Sequence, residues 1–237
     1  MASIAALGTT LLLLGSTIHG ATPTPFASLT QPNGLAATAT MLFATSQLDS
    51  NVYSISPSGV VSTYGTIPQA NSSHFEIYMV VTPTTFAENN LFACMSDKVY
   101  QLPSSGTPPV TPTLFANFNI NGSGSALNAS LIHCGITFDA SGNYGGGLIV
   151  TLQNGDVFKV NSSGSATLFS SPAKGLAADI TEGPAVAPSS FTPAPGALLV
   201  TQENENRIMK IDTTGNATVF STALADPESG HFVPPIL

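Results

Sequence analysis

Residues 148–170 read Leu148-Ile149-Val150-Thr151-Leu152-Gln153-Asn154-Gly155-Asp156-Val157-Phe158-Lys159-Val160-Asn161-Ser162-Ser163-Gly164-Ser165-Ala166-Thr167-Leu168-Phe169-Ser170. Leu148 to Thr151 is short and nearly all apolar, as a strand buried on both faces requires. Val157 to Val160 sets a polar residue between apolar ones, the period-2 mark of a strand. Asn154-Gly155 carries tight-turn chemistry. Gly164 closes a second turn, where glycine takes a positive φ without steric cost. The stretch reads as strand, turn, strand, turn, strand.

The same pattern recurs along the chain. Leu42-Phe43-Ala44-Thr45 is followed by Val52-Tyr53-Ser54-Ile55 and Ser62-Thr63-Tyr64. Leu91-Phe92-Ala93-Cys94 is followed by Val99-Tyr100-Gln101-Leu102 and Thr113-Leu114-Phe115-Ala116. Leu198-Leu199-Val200-Thr201 is followed by Ile208-Met209-Lys210-Ile211 and Thr218-Val219-Phe220-Ser221. A further strand precedes each triplet: Gly34-Leu35-Ala36-Ala37, Gly135-Ile136-Thr137-Phe138 and Gly183-Pro184-Ala185-Val186, with Tyr78-Met79-Val80-Val81 as the weaker copy. Four strands recurring about every fifty residues are the signature of a β-propeller blade, so the expected fold is all-β, a β-propeller of four-stranded blades. An irregular β-sandwich is the alternative, and four aligned copies weigh against it.

The repeat predicts blades over roughly residues 33–66, 76–118, 131–171 and 180–222. At one end Thr24-Pro25-Phe26-Ala27 fits an outermost strand; at the other Glu228 to Pro234 matches an innermost one, giving a partial unit over 228–237. The expectation is a truncated piece of a larger propeller; irregular closure or closure by association is the alternative.

The 237 residues include 5 Lys+Arg, 13 Asp+Glu and 4 His, a net charge of -8. Charged residues make up 8%, against roughly 25% in an ordinary soluble domain. This excludes a basic nucleic-acid binder and a highly charged disordered chain. Residues 1–21 hold an uncharged stretch with Leu11-Leu12-Leu13-Leu14, then small residues and a Pro-rich segment. That is the arrangement of a secretory signal peptide preceding a propeller domain over 22–237, so the expected location is secreted or extracytoplasmic, with no membrane span after signal removal; a retained anchor is the rival, for which the apolar run is short. Five Asn-x-Ser/Thr sequons, at Asn71, Asn121, Asn128, Asn161 and Asn216, are glycan acceptors if the path is eukaryotic, although chance matches are expected in so Asn- and Ser-rich a chain. Cys94 and Cys134 are either a disulfide or two buried thiols, and their spacing fits no metal motif. No nucleophile elbow, Walker loop or zinc-protease motif occurs, and Gly145-Gly146-Gly147 opens no helix that would cradle phosphate.

Pro32-Asn33-Gly34-Leu35-Ala36 followed by Leu42-Phe43-Ala44-Thr45-Ser46 is similar to the blade start P-N-G-[LI]-A of the gluconolactonase and senescence-marker-protein lactonases. Asn206-Arg207-Ile208-Met209-Lys210-Ile211-Asp212-Thr213-Thr214-Gly215 resembles the N-R-I-x-K-[IV]-D-x-x-G of NHL-type blades. Over roughly residues 24–235 the chain therefore resembles the six-bladed propeller superfamily that holds NHL repeats, streptogramin lyase and those lactonases. The resemblance implies a ligand site at the central channel, near the starts of the innermost strands. Asn33, Ile77, Cys134, Glu182 and Glu228 occupy those places, with Glu76 and His133 alongside. It also implies a divalent cation such as calcium held by Asn and Glu oxygens: Asn33 matches a ligand motif, and Glu182 and Glu228 match by place. His133 is the candidate general base.

Fold alone does not decide function. The leading expectation is an exported propeller that acts as a scaffold, binding a small molecule, carbohydrate or protein at the channel mouth, with no nucleic-acid partner. The alternative is a metal-dependent lactonase-like hydrolase or lyase with Asn33, Glu182 and Glu228 as ligands and His133 as base.

Overall fold

A computed structural model describes residues 25–68, 76–87, 90–120, 133–230 and 232. The signal-like segment, the sequons at Asn71, Asn121 and Asn128, and His231 lie outside the described residues. Nearly all regular structure is β. The strands are β1 (Pro32–Ala37), β2 (Leu42–Ser46), β3 (Asn51–Ile55), β4 (Val61–Thr66), β5 (Tyr78–Val81), β6 (Leu91–Met95), β7 (Lys98–Leu102), β8 (Thr113–Asn117), β9 (Cys134–Phe138), β10 (Leu148–Leu152), β11 (Val157–Val160), β12 (Ala166–Ser170), β13 (Thr181–Val186), β14 (Leu198–Gln202), β15 (Arg207–Ile211) and β16 (Ala217–Ser221). They form four antiparallel four-stranded sheets in sequential order, β1 to β4, β5 to β8, β9 to β12 and β13 to β16. These are propeller blades, and the sheets are not closed into a barrel. Among the described residues no helix is long and apolar enough to cross a membrane.

The blades stack face to face, so the core lies in the seams between them. Phe43 and Val52 of the first blade meet Ile77 and Leu91 of the second. Phe92 and Val99 meet Ile136 and Val150 across the next seam, and Ile149 and Val157 meet Val200 and Met209 across the third. Alternate residues of a middle blade's second strand thus enter different seams. This is why β6, β10 and β14 are buried at every position and read as continuous apolar runs.

Two devices repeat. In all four blades the pairing of third and fourth strands shifts register at the same place, between Val52/Tyr53, Val99/Tyr100, Val157/Phe158 and Ile208/Met209. A bulge there increases local twist and bends the exposed outer edge. Gly59, Gly164 and Gly215 share φ values near +80° and rest on the backbone carbonyls of Phe26, Phe115 and Phe169 in turn. A Cβ at any of them would strike that carbonyl. Phe26 therefore stands where the outer-strand phenylalanine of a preceding blade would stand.

The loop Asp139–Gly147 wraps a single carboxylate. Asp139 accepts backbone N–H groups from Ser141, Gly142, Tyr144 and Gly146. Those donors are consumed, which agrees with reading the glycine run as a loop.

Candidate functional site

β1, β5, β9 and β13 are the innermost strands; β1 lies against β5, β5 against β9, and β9 against β13. They approach so closely that glycine is required near their starts. A Cβ on Gly135 would fall 2.5 Å from Pro184 Cδ and 2.6 Å from Thr151 Oγ1. Gly34 is as tightly hemmed by Ile77 and Thr45. Gly34, Gly135 and Gly183 hold equivalent places, and in the second blade Tyr78 stands there instead. Bulges between Pro32/Leu35 and Glu182/Ala185 interrupt β1 and β13 just where Asn33 and Glu182 lie. Such bulges re-aim side chains.

At this end of the channel three side chains from three blades converge. His133 Nδ1 lies 2.7 Å from Glu76 Oε2 and 2.7 Å from Glu182 Oε1. One ligand atom from each residue lies within 4.8 Å of the others. Glu182 is 1% exposed, His133 15% and Glu76 20%. Gln47 Nε2 donates to Glu76 Oε1 at 3.4 Å, and the Tyr78 hydroxyl reaches Glu182 Oε2 at 3.5 Å. The Asn33 amide lies beside the Tyr78 phenol, and its Oδ1 is buried without a hydrogen-bond partner.

The electrostatics follow from two carboxylates facing one imidazole. Burial works against the His133 cation, but hydrogen bonds to Glu182 and Glu76, and their charges, outweigh it and push His133 up to about 10. Burial raises Glu182 to about 7, partly opposed by His133 and reinforced by the Glu76 charge. Burial, then the Glu182 and Glu76 charges, also raise the Tyr78 phenol. At neutral pH His133 is therefore protonated. The group whose proton exchanges near neutrality is Glu182, which is the better placed acid or base.

The candidates read from the sequence separate here into two groups. His133 and Glu182 come together, and Asn33 is linked to them through the Tyr78 phenol. Glu228 does not join the cluster: its side chain is exposed, its backbone carbonyl accepts a hydrogen bond from Thr201 Oγ1 at 3.1 Å, and its charge acts only through the field. Ile77 is fully buried, and Cys134 is bonded to Cys94, with Cα atoms 6.2 Å apart. Of the two states open to these cysteines, the disulfide is the one formed. Two residues at the cluster exceed the expectation. Glu76 stands in the sequence only as a flanking residue. Tyr78 lies in the repeat's weakest copy, and that weakness is the signal, since a tyrosine replaces the glycine of the other blades.

No protein-family model and no curated protein sequence matches the chain. Solved structures do. A streptogramin B lyase matches with TM-score 0.55 and 18% identity, covering 80% of this chain and 54% of that one. A calcium-binding protein, regucalcin, from Agrobacterium tumefaciens matches with TM-score 0.51 and 13% identity, covering 82% and 60%. The extracellular domain of a hybrid two component system from B. thetaiotaomicron matches with TM-score 0.52 and 13% identity, covering 80% and 22%. These likenesses show the β-propeller fold. The chain spans little more than half the length of the lyase.

Proposed function

We propose that this chain is a ligand-binding propeller whose channel-end cluster, Glu76, His133 and Glu182, holds a divalent cation. The observation that carries the reading is the convergence of two carboxylates and an imidazole nitrogen from three blades. The buried Asn33 Oδ1, an acceptor without a donor, fits a cation ligand at the same strand ends. A nitrogen among the ligands favours manganese or zinc over the calcium that the sequence suggested, because calcium takes oxygen ligands. A bound cation would act as a Lewis acid toward a carbonyl or carboxylate ligand. The protein must first release the His133 proton, so affinity rises with pH.

A second reading, hydrolase or lyase, is favoured by Glu182, whose proton exchanges near neutral pH within reach of the Tyr78 hydroxyl. Export is supported by the disulfide, which belongs to an oxidising compartment.

Calorimetric titration of the full chain with Mn²⁺, Zn²⁺ and Ca²⁺ tests the proposal. Saturable binding of Mn²⁺ or Zn²⁺, lost in His133→Ala and Glu182→Gln and weakened in Asn33→Ala, is the expected result. Binding that survives the first two changes places the cation elsewhere. Binding of Ca²⁺ alone returns the oxygen-only site. Turnover of ester or lactone substrates that Glu182→Gln abolishes selects the enzyme reading.

A further inference from the structure

Each blade carries one side chain at the fourth position of its second strand, which faces the start of the next innermost strand or, in the fourth blade, the segment at Glu228. Thr45 Oγ1 donates to the Ile77 carbonyl at 2.6 Å, and Thr201 Oγ1 donates to the Glu228 carbonyl at 3.1 Å. Thr151 occupies the same place with its hydroxyl unpaired. In the second blade this place holds Cys94, and the residue it reaches is Cys134. A covalent bond thus replaces a hydrogen bond at one seam.

That seam is the one Glu76 and His133 face each other across. Cys134 follows His133 directly, and Glu76 precedes the second blade's innermost strand by one residue beyond Ile77. Both cysteines are fully buried. Loosening this seam separates Glu76 from His133, whereas the tie that Tyr144 makes to Leu198 and Ile211 across the third seam lies at the opposite end of the blades and touches neither. We propose that the Cys94–Cys134 disulfide is a positioning device for the channel cluster, holding the second and third innermost strands in the register that keeps Glu76 and His133 at hydrogen-bonding distance. The proposal rests on reading Glu76, His133 and Glu182 as the functional centre.

The test uses the full chain, oxidised, beside a Cys94→Thr/Cys134→Ala variant, in which the threonine supplies the hydrogen bond of the other seams. Tyr144→Phe serves as a control that weakens the third seam at the end away from the cluster, by removing the hydroxyl that accepts from the Leu198 N–H and donates to the Ile211 carbonyl. Two readouts are taken at one fixed pH: the His133 Nδ1–H resonance, and the Mn²⁺ dissociation constant. The expected result is a broadened or lost resonance and at least tenfold weaker Mn²⁺ binding in the cysteine variant, with neither change in Tyr144→Phe. Dithiothreitol should reproduce the loss in the natural chain. That reaction breaks the S–S bond, moves two electrons and two protons onto the sulfurs, and leaves the reagent as its cyclic disulfide. An unchanged resonance in a cooperatively melting cysteine variant overturns the proposal, as does an equal change in Tyr144→Phe. If no protein binds Mn²⁺ but the resonance still distinguishes the variants, positioning stands and the cation reading falls. A variant that does not melt cooperatively is compared with the natural chain in about 1 M sucrose, which favours the folded state.

Discussion

The first and second seams solve one problem with different chemistry. Between the first and second blades, Thr45 accepts the Gly34 N–H and donates to Ile77, so one hydroxyl ties backbone groups of two innermost strands. Between the second and third, Cys94 and Cys134 do the same by covalent bond. The apolar packing on either side is alike. The first two seams are thus tied at the channel end, where the innermost strands begin, while Thr151 at the third leaves that place untied, and the covalent tie is the one that spans the strands carrying Glu76 and His133. A hydrogen bond of this kind contributes about 1 kcal/mol net. A disulfide restrains the unfolded chain as well, and for a separation of 40 residues the chain-entropy account gives about 4 kcal/mol.

The largest expected effect is loss of the disulfide. Cys94→Ala/Cys134→Ala should lower the unfolding free energy by about 4 kcal/mol in denaturant titration. Cys94→Thr/Cys134→Ala should recover about 1 kcal/mol of that. Equal losses for the two double variants would show that the seam does not accept the hydrogen-bonded form.

Second is pH, because two groups titrate in the same sense. His133 stands at about 10 in the fold against 6.5 unperturbed, so its stabilisation is complete below pH 6.5 and lost as pH rises through 10. Glu182 stands at about 7 against 4.5, and the native state holds that proton more tightly, so stability also falls between pH 4.5 and 7. Melting temperature should decline from pH 5 to pH 10. Glu182→Gln should flatten the lower part of that decline. A rise over this range would mean that the cluster is not closed in solution.

Third, Gly135→Ala should cost about 1–3 kcal/mol by overpacking against Pro184 and Thr151. Fourth, Thr45→Val should cost about 1–2 kcal/mol, since it leaves the Gly34 N–H and the Ile77 carbonyl without their partner. The smallest effect belongs to Thr151→Val, within about 0.5 kcal/mol of the natural chain, because the hydroxyl it removes has no partner. A Thr151 cost equal to that of Thr45 would show that the third seam carries the same tie in solution.

Much of the fold is legible in the sequence because a blade's demands are local. Leu148 to Thr151 must be apolar on both faces, Val157 to Val160 must alternate, and Gly164 must take positive φ; each is a property of a few neighbouring residues. The repeat then supplies the equivalences that place Asn33 and Glu182 at strand starts. Glu76 is harder to read, since it precedes its strand in a segment without pattern. Tyr78 is obscured by the break in the repeat that makes it useful. Glu228 matches by place, yet its side chain does not join the cluster, because position along a repeat specifies a strand start and not a side-chain direction.

Periodicity and the steric limits on single residues suffice for the repeating four-stranded unit, for the glycines that let innermost strands approach, and for the set of polar residues available at their starts. Those features need nothing beyond the order of residues. That Glu76, His133 and Glu182 share one site, and that Cys94 bonds Cys134, follows from packing alone. Residues about fifty positions apart meet only when consecutive blades stack, and the rotation from one blade to the next is set by the side chains that fill the seams.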